Sequence, residues 1–213
     1  MPVIYAELAA QYPPRQVCDP ASSVAAANGQ YLLITREAYD AVGGHAAVSH
    51  TLLEDVALAR AVKRSGRRLR FRFGGDAVRT RMYRTWPDLR DGWTKNLALL
   101  FPGASRLAAR RGIEFLLAAG GLGAAVAGLA TRRYRLLGAG LAVAVPTTTL
   151  FFRRVRRAHF GPLGTTLSPL GLPLFVLLLL RSQLHYGRGK VSWKGRIYRH
   201  AIERDATAEY NKA

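Results

Sequence analysis

The sequence predicts an α/β chain: a partial domain of alternating strands and helices, then about three transmembrane or re-entrant helices and a basic tail. Three observations carry that prediction. Up to about Phe101, apolar residues are interleaved with charge, as in a globular domain. Within that stretch, short runs of period-two alternation lie between runs of helical spacing. From residue 113 to residue 180 the apolar residues gather into long runs broken by arginine clusters. A chain of 213 residues has room for one small domain and such a membrane region.

The elements follow in order. Residues 1–27, punctuated by the turn-rich "YPPRQ" and "DPASS", read as a lead-in, either a linker or the cut edge of a domain. "GQYLLIT" at 29–35 predicts a strand, and the helical turn "REAYDAV" after it is ended by Gly43 and Gly44, which permit left-handed backbone. "TLLEDVALARAVKRSG" at 51–66 predicts an amphipathic helix with Leu58, Ala61 and Val62 on one face and Gly66 as its stop. "LRFRF" at 69–73 and "AVRTRMY" at 77–83 predict two more strands. Pro87 opens a helix through Phe101, whose stripe of Leu89, Trp93, Leu97 and Leu100 suits packing on the domain or at a bilayer surface.

Residues 113–130, 136–152 and about 163–180 are the membrane candidates, each near the lower length limit for crossing about 30 Å of hydrocarbon. The "TRRYR" connector makes the first two an antiparallel hairpin. The third carries Pro162, Pro169 and Pro173, so a kinked or re-entrant path stays open beside a full crossing. The resulting division is a lead-in at 1–27, a catalytic half-domain at 28–105, membrane helices at 106–182 and a basic interfacial tail at 183–213.

The formal charge is +19, from 32 Lys+Arg against 13 Asp+Glu, and it calls for anionic partners. Arg110, Arg111, Arg132, Arg133, Arg135, Arg153, Arg154, Arg156, Arg157 and Arg181 flank the apolar runs, where lipid phosphates are the natural partners. No zinc-ligand spacing or RNA-binding aromatic motif accompanies the charge, so nucleic acid is not expected. Cys18 is the only cysteine, which excludes an intramolecular disulfide and a cysteine metal cluster and fits a reducing cytoplasmic face. The opening residues lack the basic and apolar regions of a signal peptide.

Glu54 and Asp55 open the 51–66 helix, and two readings of them stay open. Acidic residues in a first turn interact favourably with the helix macrodipole and its free N–H groups, which explains the pair without chemistry. Alternatively, one carboxylate is a general base aimed at a substrate hydroxyl.

"ANGQYLLITREAYDAVGGH", "LEDVALARAVKRSG" and "RTRMYRTWPDLRDGWTKN" together resemble, in order and spacing, the C-terminal half of the catalytic domain of membrane-bound family 2 glycosyltransferases. Within that family they are nearest the bacterial subgroup that glycosylates lipid or carotenoid-type acceptors. The resemblance runs from about Ala26 to Asn96 and continues through the apolar segments and "VSWKGRIY". It implies a partial GT-A, Rossmann-like fold with Asp55 of the "ED" pair as general base and Glu54 beside it. It also implies an acceptor-side turn at Gly43 and Gly44, with His45 adjacent. Processive members carry a "QxxRW" motif. Trp93 here lies 38 residues after Asp55, but Leu89 and Gly92 replace the Gln and Arg, which argues against a processive synthase. Diphosphate contact then falls to Arg81 and Lys95, within "RMY" (hence Tyr83) and "GWTKN". Each also has a structural alternative: Arg81 as an exposed strand residue, Trp93 as a core or interfacial anchor, His45 as a turn residue bonded locally.

The family's N-terminal half holds the sugar nucleotide, with an Asp-x-Asp pair gripping Mg²⁺ or Mn²⁺; no Asp-x-Asp occurs in this sequence. The expectation is an acceptor-binding and membrane-anchoring part of an inverting transferase, inactive alone, either a fragment or one half of a split enzyme completed by a separately encoded N-terminal half. Its expected site is a bacterial inner membrane, catalytic part facing the cytoplasm. The alternative is a non-catalytic basic membrane protein that binds lipid or a partner.

Overall fold

The structure is a computed structural model, and it describes residues 2–72, 74, 78 and 80–188 together with the backbone of 191–193 and 196–198. It overturns the α/β prediction. The described residues are mainly helical, and the strands among them are a short antiparallel hairpin in the tail, β1 (Val191–Trp193) and β2 (Arg196–Tyr198). There is no Rossmann-like sheet among the described residues.

The reason lies in the backbone's need for partners. A strand persists only where a neighbour takes its N–H and C=O groups, and none of the three predicted runs has such a neighbour among the described residues. The first run opens on a turn, Tyr31 N–H donating to the Asn28 carbonyl at 3.1 Å, and continues extended with Leu33 84% exposed. In the second, the place of a partner strand is taken by a side chain. Phe71 N–H donates to Cys18 Sγ at 3.2 Å, and the Cys18 thiol donates back to the Phe71 carbonyl at 3.7 Å. Of the third run, residues 80–83 form no strand, whereas Ala77 and Arg79 lie outside the described residues.

The helices of this region follow their local signals. Helix α3 (Arg36–Ala41) is capped by Thr35, whose hydroxyl accepts from Ala38 N–H at 3.3 Å. Gly43 and Gly44 then take φ of 73° and 55°, leading into α4 (Gly44–Ala47). Helix α5 (Glu54–Arg64) buries Val56, Leu58, Ala59 and Val62, and α6 (Trp86–Leu100) buries Trp93 and Leu97 of the expected stripe. Two helices arise in the stretch read as a lead-in: α1 (Pro2–Gln11) and α2 (Pro14–Cys18). Helix α1 reaches the main core, where Val3, Ile4 and Ala6 join Trp93, Leu97, Phe151, Val155, Leu172, Phe175 and Leu179.

Helices α7 (Ala104–Ala130) and α8 (Tyr134–Val155) form the predicted hairpin. Both are long and apolar enough to cross a membrane, as is a third segment, Ser168–Gly187. The hairpin packs backbone to backbone through Gly121, Ala125, Gly128, Gly140 and Ala144. A Cβ at Gly140 would overlap the Ala125 amide, and one at Gly128 the Leu137 amide. Small residues let apolar helices approach closely where no hydrophobic force separates protein from lipid. The third segment is broken by its prolines: Pro162 opens α9 (Pro162–Thr166), Pro169 sits in a 3-10 turn (Ser168–Leu170), and Pro173 lies in the first turn of α10 (Gly171–Gly187). Helix α10 lies against α6 and α7. Ser182 Oγ donates to the Thr94 carbonyl at 2.6 Å and accepts from Ala98 N–H at 2.9 Å, while the Tyr186 hydroxyl donates to the Lys95 carbonyl at 2.6 Å.

Two arginines expected to meet lipid phosphates turn inward instead. Arg111 on α7 and Arg154 on α8 share Glu7 of α1 and Glu114 of α7.

Candidate functional site: a cavity closed by helix α1

A cavity of about 780 Å³ lies between α1, the 26–30 loop, the first turn of α5, residues 71, 74, 78 and 80–83, α6 and residues 158–160 after α8. Asp55 stands at one end. It is half-buried, its Oδ2 accepts from Gly29 N–H at 2.7 Å and its Oδ1 from Val56 N–H at 2.8 Å. The first bond matters for the two readings of the acidic pair. The N-cap position of α5 is Leu53, which supplies no side-chain cap, and Asp55 uses one oxygen to tie the helix to the Asn28–Gly29 turn across 26 residues of chain. Asp55 is thus a tertiary link facing a cavity, whereas Glu54 is exposed and does not line it.

The approach of that turn is fastened by Lys63 at the far end of α5. Its ammonium donates to the carbonyls of Gln16, Val17 and Val24 at 2.9, 3.0 and 2.6 Å. Desolvation pulls the Lys63 pKa down, with Asp19 acting against it.

Of the other residues singled out in the sequence, Arg81, Tyr83 and Trp93 line the cavity. Trp93 is 2% exposed, and its ring meets Tyr5 and Tyr83 edge-on, each at 6.2 Å. Tyr83 packs on α6 at Gly92, where a Cβ would overlap its phenol ring. That contact explains why an arginine cannot occupy position 92: the tyrosine fills its space. Burial pushes the Tyr83 pKa up to about 12, helped by Tyr5, so its hydroxyl stays a hydrogen-bond donor.

Gly43, Gly44, His45 and Lys95 do not line the cavity. His45 belongs to a local knot in which Tyr39 Oη lies 2.8 Å from its Nδ1 and accepts from its backbone N–H at 3.0 Å. Gly44 is required there, since a Cβ would overlap the Tyr39 ring. Lys95 sits on α6 beside Tyr186.

Sequence reasoning missed part of the lining. Tyr5, Leu8 and Ala9 of α1 and Tyr12 just after it contribute to it, with His159 and Phe160. The signal was present as i, i+3, i+4, i+7 spacing on one helical face, obscured because Val3, Ile4 and Ala6 spread apolar residues around much of the rest of the helix. Asn28, Gln30 and Asn96 add polar groups to the lining, and Trp93 Nε1 and Asn96 Oδ1 have no hydrogen-bond partner among the described residues. No group of three or more His, Cys, Asp or Glu side chains comes together among the described residues, so they form no cage for Mg²⁺ or Mn²⁺.

Three helices long and apolar enough to cross a membrane follow the residues that line most of this cavity. The chain belongs to glycosyl transferase family 21, whose family model matches residues 5–206. Among curated proteins it is 31% identical over 176 residues to the 4,4'-diaponeurosporenoate glycosyltransferase of Staphylococcus aureus (strain MRSA252). That match covers 80% of this chain and 46% of the relative, so the chain spans less than half the relative's length. No solved structure matches it.

Proposed function

We propose that this chain is the acceptor-binding and membrane-anchoring part of an inverting glycosyltransferase that moves a sugar from a sugar nucleotide to a lipid-type acceptor. The observation that carries it is the position of Asp55, half-buried on the wall of a mostly apolar cavity in a glycosyltransferase family member. The curated relative's name, with its carotenoid-type acid, supports the lipid class of acceptor. The three long apolar helices support membrane anchoring, and the excess of arginines at the domain end of the α7–α8 hairpin over those at its tip supports a cytoplasmic domain.

In the proposed step, a carboxylate oxygen of Asp55 takes the proton of the acceptor hydroxyl as the acceptor's oxygen attacks the anomeric carbon. The bond from that carbon to the nucleotide diphosphate breaks, and the diphosphate leaves with the electron pair, inverting the centre. The Gly29 and Val56 amides hold the Asp55 carboxylate in one orientation. Arg81 supplies a guanidinium for the leaving diphosphate and Tyr83 a neutral donor. Mg²⁺ or Mn²⁺ and the nucleotide belong to the nucleotide-binding half, which has to be present for turnover. Co-expression of this chain with such a half, followed by Asp55→Asn, tests the assignment: sugar transfer is expected to fall about 10²–10⁴-fold, the usual weight of a general base. Undiminished transfer would remove Asp55 from the chemistry.

A further inference from the structure

Glu7 is the most deeply buried carboxylate described, 5% exposed, on the face of α1 turned away from the cavity. Its partners are Arg111 of α7 and Arg154 of α8, whose Nε atoms both lie 2.9 Å from Glu7 Oε1. Arg111 Nη2 also donates to Glu7 Oε2 at 3.1 Å. Glu114 closes the ring, accepting from Arg111 Nη1 at 2.8 Å and from Arg154 Nη2 at 2.8 and 2.7 Å. Two cations and two anions sum to zero, which is how such a cluster tolerates removal from water. Each arginine serves both carboxylates, so the cluster joins α1 to both arms of the membrane hairpin.

The opposite face of α1 is the cavity wall, and residues 5, 8, 9 and 12 follow helical spacing along it. Its far end is fixed to α6 by the Tyr12 hydroxyl, which donates to the Leu100 carbonyl at 2.8 Å. Near its start, Tyr5 stacks against Phe160 of the loop leaving α8, at 5.8 Å between ring centres. We propose that Glu7 is a positioning residue: through the Arg111–Glu114–Arg154 cluster it holds α1 as the membrane-side wall of the cavity, where the apolar chain of an amphiphilic acceptor lies. This rests on the lipid-type acceptor proposed above. Glu7 touches no ligand itself. Without its charge, Glu114 alone faces two guanidiniums, and the surplus positive charge favours α1 moving off the hairpin toward water.

The test uses the full chain in phosphatidylcholine nanodiscs with a palmitic-acid analogue carrying a chain-end diazirine as the probe, its cross-links read by peptide mass spectrometry. The wild type is expected to label within residues 2–12 and at Phe160. Glu7→Gln should reduce that labelling by at least about tenfold, since removing one partner from a buried ion cluster is strongly destabilising, while labelling of the outward-facing leucines of α7 and α8 stays constant. Glu7→Asp, which restores the charge, should recover most of it. Should Glu7→Gln fail to fold, Arg111→Lys keeps the charge, removes the forked contact, and should give an intermediate loss. Unchanged α1 labelling in Glu7→Gln, an Asp variant no better than Gln, or full labelling in Arg111→Lys would overturn the inference, as would a wild type whose α1 never labels. Absent sugar transfer with the labelling pattern intact would count against the proposed function alone and leave the role of Glu7 standing.

Discussion

Glu7 and Asp55 are carboxylates on opposite sides of the same architecture, and they are held in opposite ways. Glu7 is enclosed by guanidiniums that bind it in a neutral cluster outside the lining of the described cavity. Asp55 is half-buried at the cavity wall and held by two backbone N–H groups, with no cation paired to it among the described residues. Backbone donors fix a carboxylate's direction without neutralising it, so it remains able to interact with a ligand. Side-chain cations consume the charge in holding the fold. The difference separates a charge kept for architecture from one available for chemistry.

That contrast can be broken at several points. The largest stability effect should come from Glu7→Leu, which leaves buried guanidinium charge uncompensated and should cost about 3–5 kcal/mol in thermal unfolding of the detergent-solubilised chain. A loss as small as that of an exposed pair would mean the cluster is wet and weak. Gly140→Leu comes next. Its side chain must force α8 from the Ala125 backbone, and overpacking of this kind costs about 1–3 kcal/mol and should lower the melting temperature without touching the cavity. Asp55→Asn should cost about 1 kcal/mol or less, because the amide oxygen can still accept from Gly29; a loss as large as that of Glu7→Leu would make Asp55 architectural too.

The smallest signal is spectroscopic. Burial raises the Tyr83 pKa to about 12, so the folded chain keeps that proton where the unfolded chain, near 10, has lost it. Stability from this group is therefore complete below pH 10 and falls between pH 10 and 12. An ultraviolet phenolate titration should show a late component, to which the buried Tyr5 also contributes, and Tyr83→Phe should reduce it.

How much of this was legible in the sequence depended on whether a signal was local. Helix α5, its stop at Gly66, the left-handed pair Gly43 and Gly44, and the α7–α8 hairpin are set by neighbours in the chain, and the sequence pattern predicts them. The strands were not predictable in the same way, since alternation in "LRFRF" reports a tendency to extend and says nothing about who pairs. Here the Cys18 thiol stands where a strand would. Helix α1 escaped notice because it is apolar around most of its circumference, toward the core as well as the cavity, which leaves little periodicity to read. The Glu7 cluster joins residues more than a hundred positions apart, and nothing in the spacing of Arg111 and Arg154 distinguishes them from arginines meeting lipid. In the site, Asp55, Arg81, Tyr83 and Trp93 converge, while His45 and Lys95 do not because local partners, Tyr39 for one and the α10 packing of α6 for the other, set their surroundings.

The most direct measurement is sugar transfer to a lipid-type acceptor by this chain together with a nucleotide-binding half, comparing Asp55→Asn with Glu54→Gln. The cavity geometry predicts that the first falls about 10²–10⁴-fold while the second, outside the cavity, keeps most of the wild-type rate. Equal losses in the two variants, or a greater loss from Glu54→Gln, would contradict the central claim.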